Sequence, residues 1–211
     1  MPVRFGVSWD AGNMAALNEP YNRQSLIHTL QRTHAEVTDT FKALGLDDFY
    51  RHPGRGWSPA ETLNHLTKSG RELRKSMRLP RIVLRLLYGK NDVPSRQYHQ
   101  MRDRYQAQLA RGFRAENGKS SLAPDKITTP TSQRDAEDTR KKLLQEWRDV
   151  SKALVKCVEG WHEMYLEGYR LPHPAFGKIS VREMLMVAIY HDLHHLLKVR
   201  QAHPRKKSHK R

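Results

Sequence analysis

Cysteine is almost missing from this 211-residue chain: Cys157 stands alone, so no internal disulfide can form and no multi-cysteine zinc site can be built. That excludes a secreted disulfide scaffold and a zinc finger, and it makes a reducing cytoplasm the expected compartment. Long apolar runs are missing as well. The longest, Met184 to Tyr190, falls far short of the roughly twenty residues of a membrane span, and the N-terminus lacks the apolar core of a signal peptide. There is no glycine-rich phosphate loop, no internal repeat and no strong strand alternation.

Charge of one sign is in excess instead. The chain has 38 Lys and Arg against 22 Asp and Glu, a formal net charge of +16, which first suggests a polyanionic partner. Its distribution weakens that reading. Residues 68–104 contribute +8 and residues 198–211 contribute +7, leaving the rest near neutral. The stretch 204–211 has no apolar residue to bury and is expected to be a disordered basic tail, suited to weak, salt-sensitive, nonspecific nucleic-acid contact or to solubility alone.

Helical periodicity dominates between the Gly and Pro breaks. Residues 20–44 read as a first helix, with Leu26, Leu30, Val37, Phe41 and Leu44 on one face. A second opens at Ser58-Pro-Ala-Glu61, where Ser58 caps, Pro59 has the preset φ and Glu61 completes a capping box. A third runs from about Ser132 to Trp161, and a fourth opens on a second capping box, Ser180-Val-Arg-Glu183, ending before Pro204. These spacings predict an all-α four-helix bundle: one domain over residues 1–203, with 78–131 a basic, partly helical connection between the second and third helices. Within it, 81–87 and 98–113 read as short helices.

Twelve histidines leave imidazole as the obvious soft ligand. His191 and His195, four apart on the fourth helix, share a face with Met184 and Ala188, so the pair points into the bundle in a chelating arrangement. A third ligand must come from elsewhere, and His65, two turns into the second helix, is the best candidate. His194 competes for the same face and is expected beside the ligands or at the rim. Three nitrogens would leave coordination positions open for water or substrate, the pattern of a catalytic centre.

Three segments carry a resemblance: Gly56-Trp-Ser-Pro-Ala-Glu-Thr-Leu-Asn-His-Leu66, Pro174-Ala-Phe-Gly-Lys-Ile-Ser-Val-Arg-Glu-Met-Leu185 and Tyr190-His-Asp-Leu-His-His-Leu196. Together they resemble the DinB-like superfamily, also described as YfiT-like metal-dependent hydrolases. The resemblance implies a four-helix bundle with a long connection between helices two and three, and a divalent metal, often zinc or nickel, held by His65, His191 and His195. It also implies hydrolase chemistry or transfer with a low-molecular-weight thiol, since the superfamily includes bacillithiol- and mycothiol-dependent enzymes. A metal with an open position would acidify a bound water or thiol.

The remaining candidates are expected to be structural. Trp57, Trp147 and Trp161 read as packing residues and Cys157 as a buried thiol without a nucleophilic role; Asp192 could orient a ligand histidine, but its place one step round the helix favours a surface role. His162, His173, His203 and His209 are expected in solvent. The Arg and Lys residues from Arg71 to Arg85 form a solvated face that could also meet the carboxylates or phosphate of an anionic thiol. Three functions stay open: a metal-dependent enzyme acting on a small-molecule substrate or thiol, a basic nucleic-acid-binding bundle with a structural metal, and a metal-holding protein without turnover. The architecture also allows a homodimer through an exposed stripe.

Overall fold

The computed structural model describes residues 19–54, 56–113 and 122–204. Eight helices and one hairpin are found among them: α1 (Arg23–Ala43), α2 (Leu46–Tyr50), α3 (Pro59–Met77), α4 (Arg81–Tyr88), α5 (Tyr98–Ala110), α6 (Gln133–Glu159), α7 (Glu163–Gly168), β1 (Arg170–His173), β2 (Gly177–Ser180) and α8 (Val181–Ala202). The four long helices are those expected from periodicity, and the two short helices of the connection are also present. The expectation of a disordered tail falls on residues 205–211, outside the described residues, as does His209.

The long helices form a closed ring in which α3 packs on α6, α6 on α1, α1 on α8 and α8 on α3. The mainly apolar faces of α1, α3 and α6 turn inward. The fourth helix is different: α8 is buried on most sides, because α5, α7 and the hairpin cover the flanks that the ring leaves open. Two apolar clusters fill the bundle. One gathers Leu26, Leu30, Leu154, Val158, Leu185 and Tyr190; the other gathers Val37, Phe41, Leu63, Leu66, Trp147 and Leu196.

The hairpin is a correction to the sequence reading, which found only chain breaks at Leu171-Pro-His-Pro174 and Gly177. Arg170 pairs with Ser180 and His173 with Gly177, antiparallel. Four-residue strands are too short to show alternation, and Pro172 interrupts the pattern. Gly177, at φ +70°, supplies the left-handed residue that brings the chain back.

Both capping boxes form as expected, and both are buried. The carboxylate of Glu61 accepts from the Ser58 amide at 3.0 Å, and that of Glu183 from the Ser180 amide at 3.1 Å. Each also holds a connection. Glu61 accepts from the Ile127 amide at 3.4 Å, and Glu183 accepts from the Arg96 amide at 3.0 Å and its guanidinium at 2.7 Å. Part of the basic segment is therefore used internally. Lys68 binds the Ala123 carbonyl and Asp125, and Arg81 lies over the rings of Trp161 and Tyr165 at 5.2 and 4.2 Å. No described helix is long and apolar enough to cross a membrane.

Candidate metal centre

The second helix brings His65 inward because Leu63 and Leu66 anchor its face in the core, and the connection then runs along it. Glu61, Asn64, His65 and Lys68, spaced as neighbours on one helical face, take hold of residues 122–127 in turn. Asn64 accepts from the Asp125 amide at 2.9 Å. His65 Nδ1 lies 2.6 Å from the Leu122 carbonyl oxygen. A carbonyl only accepts, so Nδ1 carries the hydrogen and the neutral ring presents Nε2 as a lone pair. Burial, reinforced by the neighbouring His191, pushes the His65 pKa down to about 3, so the ring is neutral across the physiological range.

His191 and His195 approach from α8. The three ring centroids lie 4.8 Å (His65 to His191), 4.8 Å (His65 to His195) and 4.7 Å (His191 to His195) apart, with planes 61–68° to one another. This nearly equilateral set converges from one side, and one nitrogen from each ring lies within 4.8 Å of the other two. His65 Nε2 and His191 Nε2 are 2.8 Å apart. A tetrahedral ion with Zn–N bonds of about 2.0–2.1 Å would set nitrogens about 3.3 Å apart, between these two separations. The three histidines could thus hold a metal ion. His195 is held far below its ordinary pKa by burial and by the adjacent imidazoles, which keeps it neutral as a ligand must be.

Asp192 overturns its assignment to the surface. It is 6% exposed, with Oδ1 3.5 Å from His191 Nδ1 and Oδ2 3.4 Å from His34 Nε2. The fourth helix has no solvent side at this level, so a residue one step round from a ligand meets α1 instead of water. Burial would raise its carboxyl pKa, yet the two imidazoles outweigh burial and hold it below the ordinary range. His34 escaped the sequence reading altogether. The available signal was its place on the apolar stripe of the first helix, between Leu30, Val37 and Phe41.

A cavity of about 530 Å³ opens over the three histidines. Apolar side chains including Leu73, Leu154 and Met184 line much of it. Trp57, expected only to pack, is a half-buried wall of this cavity, stacked on His195 with centroids 5.9 Å apart and planes at 11°. Trp147 and Trp161 are core residues as expected. His194 is buried between Tyr105 and His195, beside the candidate ligands and not at the rim. His173 also departs from expectation: it lines the cavity, and burial lowers its pKa to about 4. The Ala175 amide donates to its Nδ1 at 3.1 Å, so the neutral ring carries its hydrogen on Nε2 and can act as a donor. His203 is tucked beside Asp48 at 3.6 Å, with a side chain only 7% exposed, while His162 is exposed and caps α7. Cys157 is half-buried and its thiol pKa is raised by burial, which suits packing and not nucleophilic attack. None of the basic residues from Arg71 to Arg85 lines the cavity.

Comparison with curated proteins gives no match. Among solved structures, the chain is similar to one described as the crystal structure of colibactin self-resistance protein ClbS in complex with a dsDNA, with 11% identity, a TM-score of 0.47, and 86% of this chain and 95% of that chain covered. The sequence profile of the DinB superfamily matches residues 29–199, a span that holds His34, His65, His191, Asp192 and His195. The chain belongs to the DinB superfamily.

Proposed function

We propose that this protein is a cytoplasmic metal-dependent enzyme, a hydrolase or a low-molecular-weight-thiol transferase, whose divalent ion is held by His65, His191 and His195. One observation carries the reading. His65 Nε2 is a lone pair by its bond to Leu122, it lies 2.8 Å from His191 Nε2, and a nitrogen of His195 lies within 4.8 Å of both, so three imidazoles converge on one point. A shared cation would replace the hydrogen that bridges His65 and His191 and draw the three nitrogens into ligation.

Such an ion, held by His65, His191 and His195, would supply a Lewis acid to a substrate in the cavity. The chain's own residues do the rest. The Leu122 carbonyl and the Asp192 carboxylate fix the orientations of two ligands. The apolar walls exclude water and strengthen polar contacts within. His173 offers an N–H donor to a developing negative charge on the substrate, and Trp57 limits access from the side of His195.

The test is substitution with cobalt(II), whose absorption reports ligand number and geometry. The reading predicts a stoichiometric cobalt spectrum of low coordination number that changes when a small thiol is added. A spectrum that ignores added thiol would point to a closed, structural ion, and no cobalt uptake would reject the centre.

A further inference from the structure

Three residues that line the cavity each carry a buried polar atom with no hydrogen-bond partner among the described residues: His34 Nδ1, Ser69 Oγ and Ser151 Oγ. Buried polar groups are nearly always paired, so three around one cavity mark a place where something binds. The serines are unusual for their position. Thr29, Thr38 and Thr67, also within long helices, return their hydroxyls to the carbonyl four residues back at 2.8–2.9 Å, whereas Ser69 and Ser151 do not. Their neighbours explain why they stay close: a Cβ at Gly70 would lie 3.0 Å from Val150 Cγ1, so α3 and α6 come together at this level.

His34 is oriented by the carboxylate that also orients His191. A carboxylate only accepts, so His34 Nε2 bears the hydrogen toward Asp192, and Nδ1 is left without a partner among the described residues. Two hydroxyls and one ring nitrogen suit a group that both donates and accepts. They do not suit phosphate: Lys198 is the one cation among the described lining residues, and it is exposed. Ser69 follows His65 by four residues, about 6 Å along the helix axis.

We propose that His34, Ser69 and Ser151 form a hydrogen-bonding subsite for an uncharged hydroxyl or amide group of a small, otherwise apolar substrate, whose reacting end lies at the three-histidine centre one helical turn away. The placement of the reacting end rests on the metal reading above; the subsite rests on its own unpaired atoms.

The test uses cobalt-loaded full-length protein titrated with 4-mercaptobutan-1-ol and with pentane-1-thiol, which replaces the hydroxyl by a methyl group. In the Ser69→Ala/Ser151→Ala double variant, affinity for the hydroxythiol is expected to fall about tenfold while that for pentanethiol holds or rises. Equal changes for both thiols, or none, would overturn the subsite and leave water as the partner of these atoms. Absence of a thiol signal with either compound counts against the metal reading, and melting of the metal-free variants then decides the subsite. Each serine-to-alanine change removes an unpaired hydroxyl, so the melting temperature should hold or rise. A drop of more than about 3 °C would assign the hydroxyls a structural role instead.

Discussion

His65 is prepared for ligation by two separate features, a backbone carbonyl that fixes its tautomer and a burial that keeps it neutral. Its depressed pKa has a consequence for stability. The unfolded ring binds a proton near pH 6.5 and the folded one only near pH 3, so the folded state is favoured above pH 6.5 and loses that advantage as pH falls toward 3. Thermal denaturation of metal-free protein should show a loss approaching about 1.4 kcal/mol per pH unit from this residue within that window, and His65→Gln should flatten the slope. Asp192 acts at the same scale through its two imidazole contacts. Asp192→Asn keeps the shape but removes the charge that orients His191, so metal affinity measured by chelator competition should fall roughly 10- to 100-fold while the circular dichroism spectrum is kept.

The helices meet in a polar belt between two apolar clusters. On α1, His34 separates Leu30 of one cluster from Val37 of the other; on α6, Ser151 separates Leu154 from Trp147; on α8, the ligands lie between Tyr190 and Leu196. Helix starts are the other determinant, since the two ligand-bearing helices both open on buried capping boxes that also grip a connection. Glu61→Ala removes the reciprocal bond to Ser58 and releases Ile127, so a loss on the order of 1–2 kcal/mol is expected in denaturant unfolding, with metal affinity reduced through the loosened Leu122. The four long helices, their capping serines and the three candidate ligands were legible in the sequence, because periodicity, Ser-x-x-Glu spacing and a His pair at i, i+4 are local signals. His34, Asp192 and His173 were not. Their roles depend on which helix or hairpin covers them, and Asp192 reads as exposed until α1 is placed beside α8.

Across the whole molecule, Lys68 and Arg96 tie down connections through Asp125 and Glu183, while Arg71, Lys75, Arg78 and Arg85 stay exposed. What remains exposed on α4 includes the apolar Ile82 and Leu86 as well as basic residues. Metal and fold should be coupled through the ring of helices, because the ligands come from α3 and α8. At free metal a hundredfold above Kd, binding adds about 2.7 kcal/mol, a rise in melting temperature on the order of 5–10 °C. The most direct measurement is metal content after equilibration with zinc or nickel and exhaustive dialysis, comparing the native chain with His65→Ala and with His191→Ala/His195→Ala. One divalent ion per native chain, and less than a tenth of that in folded variants, is the predicted result; an unchanged content in those variants, or none in the native chain, would contradict the three-histidine centre.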